Sequence, residues 1–159
     1  MDISPPRRVT RTYTQRLVAD PERVFPLLCP VREADWLKDW DPISVWSESG
    51  VAEPDCVFTT SSREGEAIWF VTSHAPDVGE IEMLTITPGV TACKLVIRLA
   101  TTATGTDAVV TYSYTSLGPA GDTFIDGFTD EYYDQFMRDW ERRLNHYLAT
   151  GQMLRDEHG

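Results

Sequence analysis

In YDQFMRDWERRLNHYL, residues 133–148, the apolar positions are Tyr133, Phe136, Met137, Trp140, Leu144, Tyr147 and Leu148. At about 100° per residue they fall in one band roughly 120° wide, the pattern of an amphipathic helix. The opposite side carries Asp134, Arg138, Asp139, Glu141, Arg142, Arg143 and Asn145. Asp134 precedes Arg138, and Asp139 precedes Arg143, by one helical turn, the favourable order for surface ion pairs. Nearly everything upstream reads as strand. A long amphipathic helix that follows a run of strands must bury its band against a curved antiparallel sheet, and such a sheet leaves room for a hollow beneath the helix.

Residues 9–18 (VTRTYTQRLV) alternate, with Val9, Arg11, Tyr13, Gln15 and Leu17 on one face. Further strands are predicted over 43–48, 55–61, 66–74, 79–87, 93–102 and 107–117. The turns between them carry Ser49-Gly50, Gly65, Pro76-Asp77, Pro88-Gly89 and Gly105, as hairpins of a meander require. After the first strand, Asp20-Pro21-Glu22 starts a short helix, with Asp20 as cap and Pro21 at its first position; Pro30 ends it. A second short helix is expected from Val31 to Leu37. The order β, α, α, six β, α predicts an α+β architecture: a seven-stranded curved antiparallel sheet around a long C-terminal helix. A single domain over residues 1–159 is expected, with a core of about 9–150 and a frayed tail over 151–159.

Fourteen basic residues against 25 acidic ones give a net charge of −11. No basic patch is visible, so a nucleic-acid partner is not expected. The start, MDISPPRR, lacks an apolar leader core, and no apolar run is long enough to span a membrane. Cys29, Cys56 and Cys93 are widely spaced and form no CxxC, which suits reduced thiols in a cytoplasmic protein. No HxH, HExxH, GxSxG, GxGxxG or GxxxxGK spacing occurs, so neither a metal site nor a cofactor is predicted.

The element order resembles the helix-grip fold of the SRPBCC superfamily, which includes START lipid-transfer domains, birch-pollen-allergen-like proteins and polyketide cyclase/dehydratases. The strings VFPLLCPVREADWLKDW (24–40), Cys56 to Thr60, Ala67-Ile68-Trp69 and WERRLNHYLATG (140–151) are similar to elements of a bacterial subgroup. The resemblance implies an internal cavity for a small, mostly apolar molecule such as a lipid or an aromatic compound. It supplies no catalytic residue.

In that fold the pocket lies between the sheet and the first part of the long helix. Here that part holds Phe124, Ile125, Phe128 and Tyr132, in a sector offset by roughly 100° from the later band. Gly127 lowers local helix propensity. The later band is then expected to pack dry while the earlier segment covers the pocket; the alternative is that all of them are ordinary core. Trp36 and Trp40 lie four apart and share a face if their helix continues. That face would place indoles at the pocket mouth, with Arg32 beside them to hold a ligand carboxylate. Alternatively, the tryptophans cap the core, and Arg32, Glu33, Asp35 and Asp39 form a solvated face. Trp69, Tyr112 and Tyr114, on strands, complete the candidate binding set.

Acid–base chemistry would draw on His74, Glu82 and Tyr112. His74 reads more simply as a polar strand end, and Cys29 as a small buried residue. An unfilled apolar cavity of about 300 Å³ would cost roughly 7 kcal/mol. The pocket should therefore be liganded, hydrated or partly filled by the chain's five Trp, six Tyr and six Phe. Three functions follow: binding or transport of a small hydrophobic or aromatic molecule, a cyclase/dehydratase-like enzyme in the same cavity, or a protein-interaction module with a filled core and an exposed apolar patch. The oligomeric state is left between monomer and homodimer.

Overall fold

The computed structural model describes residues 1–156. It contains β1 (Arg8–Leu17), α1 (Pro21–Val24), a 3-10 turn (Phe25–Leu27) continuing α1, and a second 3-10 turn (Arg32–Asp35). Then come β2 (Ser44–Trp46), β3 (Val57–Ser62), β4 (Gly65–Ala75), β5 (Glu80–Thr87), β6 (Thr91–Thr101) and β7 (Thr106–Ser116), followed by α2 (Pro119–Gly127) and α3 (Asp130–Thr150). The seven strands form one antiparallel sheet in the order β1-β7-β6-β5-β4-β3-β2. The meander is closed by the first strand returning beside the last, Arg8 opposite Thr115 and Leu17 opposite Thr106. A bulge between Val71 and Ser73 breaks the β4–β5 register, a device that bends a strand.

The side-chain period of two sends one set of each strand's residues to the concave face. Cross-strand pairing aligns them in rows: Phe58–Trp69–Thr85–Cys93–Tyr114, next to it Val71–Met83–Leu95–Tyr112, and then Ile81–Ile97–Val110. Helix α3 lies in this concavity. Its buried residues include Tyr133, Met137, Trp140, Leu144 and Leu148, five of the seven in the expected band; Phe136 is exposed and Tyr147 half-buried. The Thr129 hydroxyl caps its start by accepting from the Tyr132 amide at 3.1 Å, and left-handed Gly151 (φ 71°) closes its end.

Two contacts anchor α3 to the free edge of β1. The Asn145 carboxamide accepts from the Val18 amide and donates to the Arg16 carbonyl, both at 2.9 Å, and Glu141 accepts from the Arg16 amide at 2.5 Å. Backbone groups that a bare edge would offer to another chain are thereby engaged. The predicted ion pairs form, Asp134–Arg138 at 3.8 Å and Asp139–Arg143 at 2.8 Å.

Four local expectations change. The C-terminal helix does not run unbroken from Phe124. Phe128 (φ −87°, ψ 62°) ends α2, and Thr129 caps a separate α3, so the 100° offset on a continuous wheel does not apply. The helix after Pro30 is only a 3-10 turn: Trp36 leaves it at φ −130°, and Asp39 takes φ +62°. Arg143, assigned to the solvated side, is buried, because Asp156 joins Asp139 on its guanidinium at 3.0 Å. That contact, with Lys38 at 3.6 Å, draws the tail back as far as Asp156 instead of letting it fray. Residues 157–159, His158 among them, lie outside the described residues. Among those described, no helix is long and apolar enough to cross a membrane.

Candidate functional site

A cavity of about 150 Å³ lies where the segment after α1 meets the sheet and α3. Leu28, Pro30, Glu33, Leu37 and Trp40 form one wall; Phe58, Trp69, Met83, Leu95, Ile97 and Tyr112 form the sheet wall; Phe136 and Trp140 close it from the helix. Indole tethers hold the walls apart. Trp40 donates to the Pro30 carbonyl at 2.7 Å, and Trp69 to the Thr60 hydroxyl at 2.9 Å while its ring stacks on Phe58 at 5.2 Å. Behind the helix wall, Trp36 stacks on Trp140 at 5.8 Å and donates to the Leu27 carbonyl at 3.0 Å. A ring whose N–H is satisfied at the wall cannot swing into the hollow without leaving a buried polar group unpaired.

Glu33 is the charged residue of this cavity. Its backbone is fixed by the 3-10 turn: its amide donates to the Cys29 carbonyl at 2.8 Å, and its carbonyl accepts from Leu37 at 2.7 Å. As a residue Glu33 is half-buried, and part of its free surface faces the cavity. Burial alone pushes the carboxyl up to about 8; no cation or hydrogen-bond donor among the described residues offsets it. At neutral pH it is therefore mainly a neutral acid in an apolar chamber. Across the chamber, burial holds the Tyr112 phenol well above its ordinary range, with smaller contributions from Tyr114, Cys93 and Glu33.

A second, more polar hollow of about 120 Å³ lies on the far side of Trp69, lined by Thr60, Thr85, Thr87, Thr91, Tyr114 and Phe124 among others. The buried Thr85 hydroxyl there has no partner. Wider depressions beside Trp46 and Glu53, or beside Asp20 and Asp77, are open to solvent and polar.

The expected residues divide accordingly. Trp40, Trp69 and Tyr112 border the main cavity; Tyr114 and Phe124 border the polar hollow. Trp36 is fully buried beside the cavity wall, not at a mouth, because the turn does not continue into the helix that would have aligned it with Trp40. Phe128 is core, packed on Tyr114 at 4.9 Å and Tyr133 at 5.6 Å, and Tyr132 is 55% exposed. Arg32 is turned to Asp35 at 2.8 Å. His74 packs edge-on against Phe25 at 4.9 Å, and burial lowers its pKa. Glu82 points to the convex side, where the Thr72 hydroxyl donates to it at 3.0 Å and Lys94 lies 3.7 Å away. Neither His74 nor Glu82 reaches the cavity. Glu33 was read as part of a solvated charged face; the signal that could have singled it out is its place between Pro30 and Leu37, both apolar and both facing inward.

Burial pushes the Cys93 thiol up to about 12, so it is inert as a nucleophile. All three cysteines are buried and free. Among the described residues no cluster of His, Cys, Asp or Glu could hold a metal ion. The convex face carries exposed Ile68, Phe70, Leu84 and Ile86, with Phe70 opposite Leu84 and Ile68 opposite Ile86 in register, and Trp46 is exposed on the adjoining edge strand.

No family model matches the sequence, and no curated protein does. Solved structures do match. A protein from Rhizobium leguminosarum aligns over 93% of this chain and 99% of its own, at TM-score 0.62 and 15% identity. Norcoclaurine synthase from Thalictrum flavum aligns over 91% and 88%, at TM-score 0.66 and 8% identity; it is also known in complex with dopamine and hydroxybenzaldehyde. DynU16, from the dynemicin biosynthetic locus, aligns at TM-score 0.58 and 17% identity over 93% of this chain, which spans about half of DynU16 (49%). At such identities the likeness shows architecture alone. The chain has the α+β helix-grip fold these structures share.

Proposed function

We propose that this chain is an SRPBCC-type binding protein that takes a small, mostly apolar, ring-sized molecule into the cavity beside Glu33. The observation that carries the reading is an aromatic-walled cavity of about 150 Å³ with one unpartnered carboxyl in its wall. Left unfilled, that volume would cost about 4 kcal/mol at ~24 cal/mol per Å³. A ligand that fits recovers much of it, and apolar cavities of this size accept a single benzene-like ring. The norcoclaurine synthase complex, with its single-ring compounds, supports the size class. The free thiols fit a reducing, cytoplasmic setting.

Thermal shift and calorimetry over a panel of single-ring compounds test this. Saturable one-to-one binding, abolished by the cavity-filling Leu95→Phe, is the expected result; no binding by any compound would sink the proposal.

The position of Glu33 favours a second reading, acid–base chemistry resembling that of the polyketide cyclase/dehydratases. A carboxyl raised to about 8 in an apolar site is suited to moving a proton beside a ligand carbonyl, with Tyr112 donating to the carbonyl oxygen. Deuterium exchange at the α-carbon of a bound ring ketone, followed by NMR, separates the two readings. Exchange lost in Glu33→Gln means an enzyme, and binding without exchange means a carrier.

A further inference from the structure

We propose that the cavity's occupant is a small aromatic amine, held as its ammonium ion between the Glu33 carboxylate and the surrounding ring faces. This rests on the binding reading above and narrows its ligand class.

The wall chemistry selects charge as well as size. Trp40, Trp69, Trp140, Phe58, Phe136 and Tyr112 surround the space, and no Lys, Arg or His lines it. Ring faces carry a negative quadrupole that attracts a cation, most strongly when water is excluded. Glu33 is the one acidic group in this wall and no Lys, Arg or His faces it, so a cation is the occupant it can meet as a carboxylate. An anionic ligand would find no cation in the wall to pair with. A neutral hydrocarbon fills the volume and leaves Glu33 desolvated. The chain's net charge of −11 also draws cations toward its surface.

The other ionisable groups do not change this balance. On the same turn, Arg32 and Asp35 are engaged with each other at 2.8 Å. From β7, Tyr112 faces the cavity with its phenol held neutral by burial. The lining residues from β3, β4, β5, β6 and α3 are all uncharged. Without a ligand, Glu33 therefore keeps its proton through neutrality, because burial raises it to about 8. The entering ammonium ion stabilises the carboxylate, and the carboxyl proton leaves to solvent. One proton is released for each cation bound, and the ligand's own protons stay in place.

Calorimetry of the full chain with benzylamine, toluene and benzoate, at pH 7 in buffers of different ionisation enthalpy, reads this directly. Benzylamine is expected to bind one-to-one with release of about one proton, and to tighten about tenfold between pH 6 and pH 7. Toluene is expected to bind more weakly with no proton exchanged, and benzoate not at all. Glu33→Gln should lower the benzylamine-to-toluene affinity ratio about tenfold. If that variant does not fold, the proton count of the unaltered chain decides alone. Toluene binding as tightly as benzylamine, benzylamine binding without proton release, or benzoate binding with proton uptake would each overturn the amine assignment and leave the cavity reading standing. Failure of all three probes, toluene included, would overturn both.

Discussion

Beneath the α2–α3 break, Tyr112, Tyr114, Phe124, Phe128 and Tyr133 pack on one another with ring centroids 4.7 to 6.4 Å apart. About a turn further along α3, Phe136 and Trp140 instead face Trp40 and Trp69 across a cavity of about 150 Å³. Both regions are rich in aromatic residues, so aromatic content does not explain why Phe128 and Tyr133 are packed on all sides while the space between Phe136, Trp140 and Trp69 stays hollow. The difference lies in where the polar tips are tied. In the packed cluster the buried Tyr133 hydroxyl donates to the Val110 carbonyl at 2.6 Å, which pulls its ring onto the sheet. Around the hollow, Trp40 is tied to the Pro30 carbonyl and Trp69 to the Thr60 hydroxyl, the buried Trp140 Nε1–H has no partner, and Glu33 adds a group that cannot be buried against hydrocarbon without cost.

The largest expected effect tests the packed side. Phe128→Ala should cost about 3–4 kcal/mol in urea unfolding, since the ring is surrounded by other rings and little can collapse into its place. A loss under about 1 kcal/mol would mean that the cluster is not packed as described. Next, enlargement should act oppositely on the two sides. Val110→Phe, beneath the cluster, should cost about 1–3 kcal/mol through overpacking, whereas Leu95→Phe should be neutral or stabilising because its extra volume has the cavity to enter. Equal losses at both positions would erase the distinction between the two regions.

Glu33 sharpens the comparison through pH. Its carboxyl is raised in the folded state from an ordinary value of 4.5 to about 8, so between those values the folded chain holds more proton than the unfolded one. Stability should therefore fall as pH rises through that window. Below pH 4.5 both states are protonated and the difference vanishes. Glu33→Gln should be near neutral at pH 4 and stabilising by about 1–3 kcal/mol at pH 8, a range reduced for the residue's partial exposure. Denaturation midpoints at the two pH values measure it; a variant that is less stable at pH 8 contradicts a buried, unpaired carboxyl. The smallest effect concerns a tether. Trp69→Phe removes the bond to Thr60 and should cost about 1 kcal/mol, with the freed ring reducing the uptake of toluene-sized ligands. Undiminished uptake would mean that the tether does not hold the wall.

The fold was legible in the chain because its signals are local and repeated. The 133–148 band and the alternation in seven segments each specify a buried face, and the glycines and prolines between the strands mark where the chain turns. The break at Phe128 was harder to read. Gly127 hints at it, yet Thr129 as a cap competes with simple continuation of the helix, and only the docking of α2 decides. Gly121 takes part in that docking, since a Cβ there would sit 2.0 Å from the Val90 carbonyl oxygen. Of the site, Trp69 and Tyr112 were readable as aromatics on alternating strands, whereas Trp40 was placed there by a helix that does not form. Glu33 was not readable, because within VREAD (31–35) a carboxyl on a short turn looks solvated until the turn's orientation is known.

Sequence by itself determined the strands, their order and the sheet-and-helix architecture, since hydrophobic periodicity acts residue by residue along the chain. Tertiary structure alone decided that Trp36 packs behind the wall while Trp40 borders the cavity, that Glu33 faces inward and Glu82 outward, and that the hollow stays open between Trp69 and Trp140. Those outcomes depend on which distant carbonyl or hydroxyl meets each indole, and on a 3-10 turn ending at Asp35 where an α-helix would have carried on. Such choices are made between segments far apart in the chain, where no local pattern records them.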